Sequence, residues 1–211
     1  VNHDAVPESV DYEAMITLNQ IQNAISDHNP LIVDADVPLK RASVALILNQ
    51  SPTGLKALFV VRARKEEDPW SGHIAFPGGH VEADDESHRQ TAERETREET
   101  HLDLSGAAYL GQLDDVTGTT LKIVVSGFVF HIDQIPELRL NYELRESYWI
   151  TIETLLDRNR HHLHHYQFQG KDNFWPAIDI LGPDKPALWG LTYRLVGQLL
   201  NLTGHELPGL D

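Results

Sequence analysis

Residues 76–102 read FPGGHVEADDESHRQTAERETREETHL, and this stretch constrains the chain more than any other. Pro77 followed by Gly78 and Gly79 lets the backbone turn sharply and come close to another group. Ser87 predicts a helix start, and Gln90 three residues on predicts a capping box. From there to Thr100 there is no Gly or Pro, and Ala, Glu, Gln and Arg favour the helix. Yet between Val81 and Leu102 the only apolar residues are Ala83 and Ala92. A helix docks on a domain through an apolar stripe. This one has none, so it is either free on the surface or held by polar forces.

Spacing favours polar forces. Glu95, Glu98 and Glu99 stand at i, i+3 and i+4, which puts three carboxylates on one face. Like charges there repel unless a cation sits among them. Mg²⁺ prefers carboxylate oxygens together with water and phosphate. The plain alternative is a solvated, salt-bridged face.

The glycine loop joined to the acidic helix resembles the Nudix box, whose core is R-E-U-x-E-E-x-G-U with U apolar. Here it reads Arg94-Glu95-Thr96-Arg97-Glu98-Glu99-Thr100-His101-Leu102. His101 replaces the closing glycine, at a left-handed helix end where His is among the tolerated non-glycines. The longer loop, with Gly78, Gly79, Glu82, Asp85, Ser87, Thr91, Ala92, Arg94 and Glu95, is similar to the coenzyme A pyrophosphatase branch. Asp68 stands where that branch carries an arginine. The resemblance implies an α/β fold, a Nudix-type α/β/α sandwich with a mixed central sheet. It implies Mg²⁺ or Mn²⁺ on Glu95 and Glu99, with Glu98 as a further ligand or the base. The carbonyl of Gly79 would add a metal ligand. Arg94 would tie the loop, through Glu82, Asp85 or Glu86, to the helix. Glu143 resembles an acid of the branch, and Glu82 is a further candidate acid. The implied reaction is hydrolysis of a pyrophosphate bond in coenzyme A or its thioesters. The rival readings are another nucleoside diphosphate derivative, such as ADP-ribose or a dinucleotide, and a non-catalytic nucleotide sensor.

Composition limits partners. A formal net charge of -15 repels duplex DNA and long RNA; it leaves room for a small phosphorylated nucleotide-type substrate arriving with its metal. Arg62 and Arg64, in a local basic cluster at a predicted strand end, are candidates to hold that phosphate by bidentate bonds, with Gly78 beside them. The chain contains no cysteine, so disulfides and thiolate chemistry are out. No apolar run approaches the roughly 20 residues of a membrane span, and no secretory leader is seen. The expectation is a cytoplasmic protein.

Three parts are expected: an N-terminal extension over 1–41, a Nudix domain over 42–204 and a tail over 205–211. Helical spacing of Val10, Met15, Ile16, Leu18, Ile21 and Ile25 predicts an amphipathic N-terminal helix from Ser9 to Ser26. It packs on the domain or on a partner subunit, the second being the route to a homodimer. ASVALIL at 42–48 and ALFVV at 57–61 predict two strands around the turn at 51–54. Further strands are expected at 107–110, 111–116, 123–132, 149–152 and 174–178. Asn141 is expected to cap a helical turn, and helices are expected at 153–158 and 187–202, the last stopped by Gly204. The run of His161, His162, His164 and His165 suits a strand or loop better than a metal site, because such sites need ligands that converge.

Overall fold

Alternation decides the strands. In β1 (Lys40–Ser51), Ala42, Leu46 and Leu48 face one core, while Ala45 and Ile47 face another. Both faces are covered, which is why the strand reads as a nearly unbroken apolar run. Ser51 pairs with Gly54, so the hairpin turns through Pro52 and Thr53 into β2 (Gly54–Arg62). The predicted hairpin is present, with both strands longer than expected.

The computed structural model describes residues 16–35, 37–66, 70–118, 122–168 and 170–208. After β2 come β3 (Ile74–Ala75), β4 (Gly78–His80), α2 (His88–Thr100), β5 (Ala108–Gln112), β6 (Val116–Thr117), β7 (Ile123–His131) and β8 (Leu144–Thr151). Then follow α3 (Ile152–Leu156), β9 (His161–Phe168), β10 (Lys171–Ile178), β11 (Leu188–Trp189) and α4 (Gly190–Leu202); α1 (Leu18–Ser26) precedes them all. The central sheet runs β3-β2-β1-β7-β5, with β8 on β2, β4 on β1 and β6 on β7. β1 and β7 are parallel and the remaining pairs antiparallel, so the sheet is mixed. α1, α3 and α4 cover one face over the larger core, and α2 covers the other. The result is the expected α/β/α sandwich. Among the described residues no helix is long and apolar enough to cross a membrane.

Several expectations need correction. α1 starts at Leu18 because Thr17 caps it, exchanging bonds with Gln20 in a capping box; Val10 and Met15 lie outside the described residues. The strands expected at 107–110 and 111–116 are one strand, β5, and a short β6. Asn141 caps no helix. Its side chain accepts from the Glu143 amide at 2.8 Å, an Asx turn that launches β8. α4 begins at Gly190, since Leu188 and Trp189 are drawn into β11 beside β10. β9, β10 and β11 form a second antiparallel sheet that the sequence did not announce. The His161–His165 run lies in β9.

α2 is not a free surface helix. It docks through Thr91, Ala92, Thr96, Glu99 and Thr100, all buried, with Ala92 packed among Ala45, Ile47, Leu58, Phe128 and Phe130. Small and hydroxylated residues bring the helix close to the sheet, and Thr100 Oγ1 returns its hydrogen bond to the Thr96 carbonyl at 2.7 Å. Ala92→Leu should therefore overpack this interface and cost about 1–3 kcal/mol, read as a lower urea midpoint. Ala83→Leu, on the exposed loop, should leave the midpoint unmoved.

Candidate active site

The site begins where the edge of β1 changes partner. Ala42–Val44 pair with β4, the Ala45 amide bonds to the Pro77 carbonyl at 2.9 Å, and β2 takes over from Leu48. A cleft of about 670 Å³ opens beside this split. Its floor includes Ala42 and Val44, so it lies on the sheet face opposite α2. Glu95 and Glu99 of α2 nevertheless line it. They reach it because β4 interposes glycine backbone alone.

The glycines are required by contact distances. A Cβ on Gly79 would lie 2.4 Å from Cδ of Glu95, so that carboxylate rests against bare backbone. A Cβ on Gly78 would lie 2.2 Å from the Ser43 carbonyl oxygen, and its φ of 150° is one that side chains avoid. The Gly78 amide donates to Oε2 of Glu99 at 2.9 Å.

Helix capping fixes the register of the carboxylates. The Ser87 side chain accepts from the Gln90 amide at 3.1 Å, half of the predicted box. The Gln90 side chain goes instead to the Glu86 amide. At the other end His101 takes φ 58°, the left-handed value the missing glycine would have held, and its ring meets the Arg139 carbonyl at 2.8 Å.

Arg94 is the clamp. It holds Asp85 with two bonds, Nε to Oδ1 at 2.9 Å and Nη2 to Oδ2 at 3.0 Å. Nη1 donates to Glu95 at 3.0 Å and Glu98 at 3.3 Å, and lies 4.0 Å from Glu82. Nη2 also donates to the His80 carbonyl at 3.2 Å. Of the three loop acids considered, Asp85 makes the paired contact. The guanidinium holds the Asp85 carboxyl far below the usual carboxylate range.

The three helix glutamates part company. Glu99 is only 2 % exposed. Burial pushes its pKa up from 4.5 to about 8, against the pull of the Gly78 amide and of Arg62 and with the push of Glu95 and Glu143. Burial raises Glu95 as well, opposed by Arg94. Glu98 has a side chain 52 % exposed and does not line the cleft. Arg62, Gly78, Gly79, Glu82 and Glu143 do line it. Glu143 accepts from Lys65 at 3.1 Å. Arg64 is exposed beside Gly72, outside the cleft. Glu98, Arg64 and Arg94 are thus the three candidates that do not line the cleft, Arg94 acting on it through Glu95.

Among the described residues no three Asp, Glu, His or Cys side chains converge into a ready metal cage. Two hard carboxylates facing a cleft still fit Mg²⁺ or Mn²⁺, since Mg²⁺ commonly takes one or two carboxylates and completes its shell with water and phosphate. A buried carboxylate such as Glu99, with one amide donor to Oε2, needs a proton or a cation to be at ease.

The opposite wall was not anticipated. Trp70, His73, Tyr166, Trp175, Trp189 and Tyr193 line it, from the loop before β3, the second sheet and α4. The one sequence signal was two-residue alternation in β9 and β10, which puts His162, His164, Tyr166 and Trp175 on one face.

The raised Glu99 pKa makes a stability statement. Between pH 4.5 and about 8 the unfolded chain gives up this proton while the folded chain keeps it, so metal-free stability falls as pH rises through that window and levels off above it. Melting of metal-free protein should show this fall. In Glu99→Gln it should be shallower, leaving the variant several degrees more stable than the parent at pH 8. Parallel curves for the two proteins would contradict it.

A family model of the NUDIX domain matches residues 39–169. An uncharacterized protein of Schizosaccharomyces pombe is 33% identical over 156 residues, covering 63% of this chain and 47% of that protein. Nudix hydrolase 15, mitochondrial, of Arabidopsis thaliana is 25% identical, covering 85% of this chain and 64% of its own. The uncharacterized Nudix hydrolase NudL of Pectobacterium atrosepticum is 28% identical, covering 74% and 78%. The chain thus spans about half the length of the first of these relatives and under two thirds of the second. A MutT/nudix family protein from Enterococcus faecalis shares the fold, with a TM-score of 0.53 at 18% identity over 88% of this chain and 69% of that one. The family match takes in more than half of the chain and the whole box from Gly78 to Leu102, and the chain belongs to the NUDIX domain family.

Proposed function

We propose that this chain hydrolyses a pyrophosphate bond in a nucleoside diphosphate derivative, with Mg²⁺ or Mn²⁺ held by Glu95 and Glu99. The observation that carries the reading is the delivery of these two carboxylates past bare glycine backbone into a cleft that also holds Arg62. When bound, the metal would offset charge building on the phosphate oxygens and make a water molecule more acidic. Glu95 and Glu99 supply its carboxylate oxygens, with the Gly79 carbonyl as a further donor. Arg94 is a positioning residue: its paired bonds to Asp85 hold the loop, and its third nitrogen fixes Glu95. Arg62, at the end of β2, takes a phosphate oxygen of the substrate. Glu143 lines the cleft near enough to Glu95 and Glu99 to raise both carboxyls, whereas Glu98 does not line it; Glu143 is therefore the acid to accept a proton from the attacking water. Two monophosphates leave.

Coenzyme A or a thioester of it is the finer proposal, supported by Gly72 and the Phe76–Gly79 run together with the long loop to Asp85. Its products would be 4′-phosphopantetheine and adenosine 3′,5′-bisphosphate. Asp68, in place of the branch's arginine, favours the second reading, in which the substrate is ADP-ribose, a dinucleotide or a similar diphosphate. A panel of these compounds with Mg²⁺ or Mn²⁺, scored by product mass, separates the two.

On the best substrate, Glu99→Gln should lower kcat at least about a hundredfold with the fold kept, the scale of losing one key electrostatic group. Glu98→Gln should lower it less than Glu99→Gln does, and a chelator should abolish turnover. Hydrolysis of nothing on the panel, or full activity in Glu99→Gln, would end the proposal.

A further inference from the structure

The cleft has two chemically distinct ends. Its acids, Glu82, Glu95, Glu99 and Glu143, belong to α2, the loop before it and the turn before β8. The wall contributed by the second sheet and the start of β3 carries rings. Trp189 is the hub of that wall: its ring centroid is 4.6 Å from Tyr166, 4.9 Å from His73 and 5.2 Å from His164. Three rings packed round a fourth hold it in one orientation, which removes an ordering cost from binding. Trp175 stands on the same sheet face. It is two residues from Ala177, the β10 partner of Trp189, and so is a diagonal neighbour of that ring.

The wall is also joined to the phosphate end by backbone. The Arg62 amide donates to the His73 carbonyl at 3.0 Å, so the guanidinium-bearing residue and the first ring of the cluster face each other across one strand pair. A cation beside a flat aromatic surface matches the two ends of a nucleotide. Burial lowers the pKa of His164, which keeps that part of the wall neutral near pH 7.

We infer that the face of the second sheet centred on Trp189, with Tyr166, Trp175 and His73, is a nucleobase subsite that stacks the base of the substrate whose diphosphate lies at Arg62, Glu95 and Glu99. Every base has a π face, so the subsite selects a planar heteroaromatic ring over a base-free phosphate and ranks bases by stacking area. It deepens the hydrolase reading by assigning the base-bearing half of the substrate to the aromatic end.

The test is metal-free, so it is scored independently of turnover. With the whole chain in EDTA, calorimetry should find AMP bound at least about tenfold more tightly than ribose 5-phosphate, the scale of one stacked base. Trp189→Ala should erase most of that preference, and Trp189→Phe, which keeps a flat ring, should restore much of it. In turnover the alanine variant should raise KM for a base-bearing diphosphate while kcat changes little. Where Trp189→Ala does not fold, as judged by circular dichroism, Trp175→Ala is read in the same assay. Equal affinity of the parent protein for AMP and ribose 5-phosphate would overturn the subsite, as would a preference left intact in a folded alanine variant. A protein that binds AMP in this way but hydrolyses no diphosphate would keep the subsite and lose the hydrolase reading.

Discussion

Burying the Glu99 carboxylate is the constraint on which the site is built. Water would solvate that group well, and a place only 2 % exposed does not. The Gly78 amide at 2.9 Å offsets part of the loss, and Arg62 offsets a smaller part through its charge. What remains uncompensated is an affinity for positive charge. A site that binds a dication loosely, with substrate oxygens completing its shell, needs such a deficit. A fully satisfied carboxylate would have little reason to give up its partners.

The surrounding structure keeps that deficit from collapsing. α2 is pinned close to the sheet by Ala92 and its threonines, so Glu99 cannot swing out to water without moving the helix. Arg94 removes a second escape, because its bonds to Asp85 and the His80 carbonyl tie the loop to the helix while one nitrogen remains for Glu95. The glycines of β4 are the third part. With any side chain at position 79 the Glu95 carboxylate could not lie where it does. Helix, clamp and glycines each act on the same two carboxylates, from three directions.

Much of this was legible in the sequence. Ser87 and His101 marked the helix ends because capping is local, and the 51–54 turn marked the hairpin for the same reason. The carboxylate face was legible too, but not the division within it. Successive helical residues turn by about 100°, so Glu98 and Glu99 flank Glu95 on opposite sides, one toward solvent and one toward the sheet. Spacing alone cannot say which flank the sheet takes. Arg62 and Arg64 part for another reason: strict alternation would keep i and i+2 on one face, but β2 ends at Arg62 with a register shift between Val61 and Arg62, so Arg64 lies beyond the strand and outside the cleft. The second sheet was legible only in part: the strand expected at 174–178 is the end of β10, but its pairing with His161–Phe168 and with two residues at Leu188 leaves no local mark in any one segment. Asn141 misled because the same side-chain acceptor serves a helix cap and an Asx turn.

The two ends of the cleft are therefore encoded differently, and this bears on how substrate choice is written into the chain. The carboxylate end takes Glu95, Glu99 and most of what holds them from one short segment, 78–99, joined by Arg62 and Glu143, so a change at Gly78, Gly79 or Arg94 disturbs one carboxylate or the other. The aromatic end draws Tyr166, Trp175 and Trp189 from three strands of a separate sheet, tied to the first through His73. A ring there can be exchanged for another without removing the contacts that hold Glu95 and Glu99, which run through Arg94, Gly78 and Gly79. On the proposed reading of the two ends, bond cleavage and base selection vary independently on one scaffold. On that reading, the residues that select the base are those whose placement the sequence reveals least.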